Sequence, residues 1–144
     1  VVPNSVKVPM PFEYVFPKGV LLLGVEPVKD WDAKGPDDQA RDEHGVRVWG
    51  VRVMDLDEDA GRFGRRTDVV VKIAAAHQPV PPPSAHEGYP PSVVFDGLTV
   101  TPYVDVQGCT GKNTPHRCRA RQAWSIRATA MYAPDAAASS AVAA

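Results

Sequence analysis

The chain has 144 residues, enough for one ordinary domain with a real core and too few for two independent ones. Its 22 Val against 5 Leu and 2 Ile, with 15 Pro and 11 Gly, make the apolar material mostly β-branched and often interrupted by turn formers, which argues against a helical bundle. With 16 Lys and Arg against 17 Asp and Glu the net charge is -1, so a strongly basic protein is excluded and any nucleic-acid binding has to come from a local patch. Apolar runs such as Val20-Leu21-Leu22-Leu23 fall far short of the roughly 18 to 20 residues that span a bilayer, so no membrane span is expected. No cationic segment leads into an apolar stretch of signal-peptide type, and the expected compartment is the cytoplasm.

Residues 1–17 carry Pro3, Pro9, Pro11 and Pro17, which remove backbone donors and restrict their neighbours. They read as an extended, irregular arm lying along a sheet, with Tyr14 and Phe16 as packing residues. Lys18 to Val28 reads as a strand, with Gly19 and Gly24 as sites of bend or bulge. Asp30 to Gly45 is polar and without periodicity, an exposed loop. Val46 to Leu56 alternates, but its phase slips at Gly50, which predicts a β-bulge there. After the acidic turn Asp55 to Gly61, Val69, Val71 and Ile73 alternate through Thr67 to Ala75, and the two strands predict a hairpin. His77 to Pro91 is too proline-rich for a strand or a helix interior and reads as a stiff connector of polyproline character.

Val93 to Val106 resumes the sheet, with a turn at Asp96-Gly97, then Leu98, Val100 and Val104 on one parity and Thr99, Thr101 and Tyr103 on the other. Gly108 to Pro115 is a loop. Gln122 to Tyr132 is the cleanest alternation in the chain, with Trp124, Ile126, Ala128, Ala130 and Tyr132 on one side. Residues 133–144, mostly Ala and Ser, read as a flexible tail. Five strands over 18–132, with a long connector between the third and fourth, predict a single all-β domain, a small Greek-key barrel of OB-fold type; a β-sandwich is the alternative.

Charge is unevenly distributed. Glu26 to Asp59 holds eleven acids and five bases, whereas Val106 to Pro134 holds Lys112, Arg117, Arg119, Arg121 and Arg127 and no acid. Together with bases from the central hairpin, this local cation could neutralise phosphates; a solvated strand edge is the plainer reading. Non-specific single-strand binders pair a basic groove with rings on which bases stack. The candidate contacts are therefore Arg47, Arg52, Lys72, Arg119, Arg121 and Arg127 for phosphates and Trp49 and Tyr103 for bases. Trp124 shares its parity with Ile126 and Ala128, so core packing is the expectation for it.

Cys109, His116 and Cys118 form the one metal-like cluster, but zinc wants four ligands and neither usual spacing is present. Two reduced thiols come before a disulfide and before zinc. Asp55-x-Asp57-x-Asp59 opens like a calcium loop, yet Arg66 stands where that loop needs Glu, so an acidic turn is the expectation. No phosphate loop, nucleophile elbow or triad spacing is present, and neither catalysis nor a cofactor is expected.

Several phrases carry a resemblance: Phe16-Pro-Lys-Gly19, Gly24 to Asp30, Val48-Trp-Gly-Val-Arg-Val-Met-Asp55, Val71-Lys-Ile-Ala74 with Gln78-Pro-Val-Pro81, Phe95 to Val104, and Ser125-Ile-Arg-Ala-Thr-Ala130. They resemble the plasmid replication, integration and excision activator family of actinobacterial integrative and conjugative elements, over about residues 12 to 134. The Gly-Leu-Thr-Val-Thr-Pro-Tyr-Val block is the most specific part, and the Cys109 to Cys118 loop departs from the family. The resemblance implies a regulatory or accessory role in mobilising an element. Joined to the local cation, it leads to a single-stranded DNA-binding accessory protein, with replication or recombination proteins as partners and a homo-oligomer as a compatible assembly. A duplex-reading transcriptional activator and a non-enzymatic structural or interaction module are the alternatives, the former without a helix-turn-helix pattern to support it.

Overall fold

Strands form where β-branched residues alternate free of proline and glycine runs. In the computed structural model, which describes residues 1–62, 66–106 and 119–134, these are β1 (Val8–Pro9), β2 (Val20–Pro27), β3 (Val48–Asp55), β4 (Asp68–Ala74), β5 (Ser92–Asp96), β6 (Thr99–Asp105), β7 (Arg121–Ala128) and β8 (Ala130–Tyr132). One short helix, α1 (Phe12–Val15), precedes β2. The molecule is all-β apart from that turn, and its strands make one open, curled sheet in the order β1-β6-β7-β4-β3-β2-β5-β8. Every pairing is antiparallel except β4 with β7, where Val71 lies opposite Ile126 and Lys72 opposite Arg127.

The hairpin of β3 and β4 forms as expected, with Val51 opposite Val71 and Val53 opposite Val69. The bulge does not sit at Gly50. It lies in the partner strand, where the register of β2 against β3 shifts between Leu22 and Gly24, so that Val25 comes opposite Val51 and packs on the core. The phase slip at Gly50 has another cause: this end of β3 is covered on its outer side too. A Cβ on Gly50 would lie 3.2 Å from Val70 Cγ1 and 3.5 Å from Val28 Cγ2.

The fourth and fifth expected strands are each bent once. The pairing of β5 with β8 continues, in one unbroken register, into the pairing of β6 with β7, from Val94 opposite Tyr132 to Asp105 opposite Arg121. The bend falls at Gly97 and Thr129, where the Thr129 N–H and hydroxyl both donate to Asp96 O, at 2.9 and 3.0 Å. Before the bend, β5 also pairs with β2; after it, β6 pairs with β1, and β7 with β4.

Inside the curl, Val20, Val51, Val53, Val71 and Val93 are fully buried among Leu22, Ile73, Phe95, Val100 and Ile126. Burial of each such side chain contributes about 1.5–3 kcal/mol. The first residues are less irregular than their prolines suggest. Pro11 takes the N-cap position, where a missing N–H costs nothing, and the proline-free stretch up to Pro17 forms one helical turn. That turn sets Phe12 and Phe16 against Phe95, ring centroids 5.6 to 6.4 Å apart, so Phe16 belongs to the core while Tyr14 is exposed. Among the described residues no helix is long and apolar enough to cross a membrane. The proposed tail beyond 134 and the Cys109 to Cys118 loop lie outside the described residues.

Candidate nucleic-acid interface

Alternation along each strand sends one set of side chains into the core and the other onto the outer face of the sheet. With Val51 and Val53, Val71 and Ile73, Ile126 and Ala128, and Val100 buried, the outward set includes Arg52 and Met54 on β3, Asp68, Val70 and Lys72 on β4, Arg121, Ser125 and Arg127 on β7, and Thr99, Thr101, Tyr103 and Asp105 on β6. Register then fixes who stands beside whom. Lys72 lies between Gly50 and Arg127, Arg127 lies opposite Thr99, and Arg52 lies opposite Val70. Arg52, Lys72, Arg127 and Tyr103 thus share one face across four adjacent strands. Arg52 is exposed, Lys72 and Arg127 are half-buried, and Tyr103 is half-exposed.

Among the described residues none of these three cations has a carboxylate within 4.0 Å, whereas Lys7, Lys29, Arg41, Arg47 and Arg62 each have one. Arg47 is one of the committed ones. Its guanidinium donates to Asp37 Oδ1 and Oδ2 at 3.1 and 2.9 Å and to Gln39 Oε1 at 2.9 Å. The Arg47 hydrogen bonds, then the Gln39 N–H and Arg41, hold the Asp37 carboxyl below the ordinary carboxylate range. Trp49 shares the parity of Val51, lies opposite Pro27 and Ile73, and donates its indole N–H to Ala75 O at 2.9 Å. Both residues stand at the root of the 28–47 segment rather than on the outer face.

Arg121 lies opposite Asp105, Nε to Oδ2 4.0 Å, at the far end of β7, and Arg119 is exposed just before it. Trp124 has core parity, yet it lies opposite Pro102 beyond the end of the core and is 50% exposed. The sequence also passed over Trp31. It stands 84% exposed in the 30–45 loop with the Lys29 ammonium 4.5 Å from its ring centroid. No periodicity marks that loop; a Trp in a stretch with no core to join was the available signal. Asp30 and Asp32 flank it, a poor setting for phosphate.

Among the described residues no three His, Cys, Asp or Glu side chains gather as a metal site. Asp55 and Asp57 instead accept from the backbone N–H two residues on, each at 3.0 Å, as acidic turns do. Among the described residues the face offers three cations without a carboxylate within 4.0 Å, hydroxyls and the Tyr103 ring, the kind of groups that contact a single-stranded backbone and stack a base. Compared with known protein families, curated proteins and solved structures, the chain matches none.

Proposed function

We propose that the chain is a small barrel of OB type that binds single-stranded DNA on the outer face of β3, β4, β7 and β6, as an accessory protein in the replication or excision of a mobile element. The pairing order supports the barrel. β2, β3 and β4 run as a meander, β5 returns through the proline-rich connector to lie beside β2, and the spatial order β5-β2-β3-β4 is that of a Greek key. Counting β5 with β6 and β7 with β8 as bent single strands leaves five besides the two-residue β1, the fifth alongside β4. In OB folds the second and third strands face oligonucleotides, and here those strands carry Arg52 and Lys72.

The observation that carries the function is the set of three cations, Arg52, Lys72 and Arg127, on one face with Tyr103 and without a carboxylate within 4.0 Å among the described residues. In this proposal the cations contact phosphates, Tyr103 stacks on a base, and Arg119 and Arg121 add positive field at the end of the face. Arg47 supports the 28–47 segment through Asp37 and Gln39, and the Trp49 indole N–H is committed to Ala75 O. The mobile-element role and partners among replication or recombination proteins rest on the family resemblance. Fluorescence anisotropy of a labelled oligonucleotide, single-stranded against duplex, tests the proposal. Salt-sensitive binding that favours the single strand is expected; a preference for duplex would point to a promoter-binding activator.

A further inference from the structure

Lys72 and Arg127 are direct neighbours on adjacent parallel strands, both half-buried. Like charges set opposite each other on a sheet repel, and the usual remedy is a carboxylate between them. Two carboxylates are at hand, because Asp42 and Glu43 line the same recess together with Lys7 and Thr99. Neither is used for the pair. Asp42 Oδ1 accepts from the N–H groups of His44 and Val46 at 2.9 and 2.8 Å, and Glu43 is held by Lys7 at 3.0 Å.

The recess measures about 210 Å³, below the roughly 300–1,000 Å³ of sites that engulf a whole small molecule, so it suits one chemical group of a larger ligand. Its three cations and two carboxylates leave one positive charge. A phosphodiester carries one negative charge at neutral pH, whereas a terminal phosphate carries about 1.5 to 2.

We infer that this recess is the subsite for one internucleotide phosphodiester, which Lys72 and Arg127 share, with the Thr99 hydroxyl as a further donor. The inference rests on the single-strand reading above and adds to it a position: the strand passes between the Lys7–Glu43 bridge and the seam of β4 and β7.

A salt-slope cycle on the full chain tests it, using a short labelled single-stranded oligonucleotide with wild type, Lys72→Gln, Arg127→Gln and the double variant. Each phosphate contact with a single strand contributes about 0.7 to the slope of log K against log salt. A shared phosphate means that the double variant lowers the slope by about 0.7 and by no more than the larger single loss. A drop of about 1.4 in the double variant, the two single losses adding, would assign the cations to two phosphates and overturn the shared subsite. Binding with an unchanged slope in the double variant would overturn it while leaving the single-strand reading intact; no binding by wild type would overturn both. A 5′-phosphate on the oligonucleotide should leave affinity within about twofold. A larger gain, lost in the double variant, would make the recess an end-phosphate site and contradict the inference.

Discussion

Gly97 and Thr129 meet so closely at the bend of the sheet that a Cβ on residue 97 would fall 2.5 Å from Thr129 Oγ1 and 2.8 Å from its Cγ2. Gly97 also has φ +63°, in the left-handed region. Both facts come from one requirement: the strand pair must turn here to serve β2 on one side of the bend and β4 on the other. Gly97→Ala should therefore destabilise the fold by about 1–3 kcal/mol in denaturant unfolding. In a Thr129→Ala background the cost should shrink but persist, because removing Oγ1 and Cγ2 relieves the clash and leaves the backbone strain.

The two faces of the central hairpin should respond differently to the same truncation. Val51 is fully buried in the core and Val70 lies on the outer face, 44% exposed. Val51→Ala should cost about 2 kcal/mol and Val70→Ala less than about 1 kcal/mol by thermal or denaturant unfolding.

The strands were legible in the sequence because period-two burial is a property of neighbouring residues. The hairpin of β3 and β4 follows from it, while the prolines of His77 to Pro91 mark the connector and Asp96-Gly97 marks a turn where the structure has a bend. What was not legible is set by distant segments. Val48 is buried yet lies outside the main core cluster, at the covered end of β3 where Gly50 meets Val28 and Val70; burial on both sides imitated a phase slip. Trp124 shows the converse limit, since parity tells which side a residue takes and not whether the core extends that far. At the candidate site, the face shared by Arg52, Lys72, Arg127 and Tyr103 depends on the register of β4 against β7, which no local pattern encodes. Arg47 and Arg52 look alike in sequence, and only the folded loop brings Asp37 to one of them.

That difference should be measurable. Arg52→Gln should weaken single-strand binding and lower the salt slope by about 0.7. Arg47→Gln should leave the slope unchanged, because its guanidinium is held by Asp37 and Gln39.

Tyr103→Ala should lose about 1–3 kcal/mol of binding free energy if its ring carries one base, and Tyr103→Phe should retain most of it. Both are read in the same titration, with a circular dichroism spectrum to confirm the unchanged β fold.

Asp55 gives a pH dependence of stability. Partial burial raises its carboxyl above the ordinary range, with a smaller contribution from the nearby Asp57 charge, while the Asp57 N–H pulls the other way. A carboxyl raised in the folded state is a liability once ionised, absent below the ordinary carboxylate range and fully developed above the raised value. Asp55→Asn should thus raise Tm at pH 7, where the amide oxygen can still accept the Asp57 N–H, and the gain should vanish as pH falls towards 3.

Anisotropy of a labelled oligonucleotide against protein, at about 50 and 200 mM salt, tests the proposed face most directly. Wild type should bind the single strand at micromolar protein and lose affinity steeply at the higher salt, and the Arg52→Gln, Lys72→Gln, Arg127→Gln triple variant should bind far more weakly with a flatter salt response. No binding by wild type, or a triple variant that binds as tightly as wild type, would contradict the assignment of this face to single-stranded DNA.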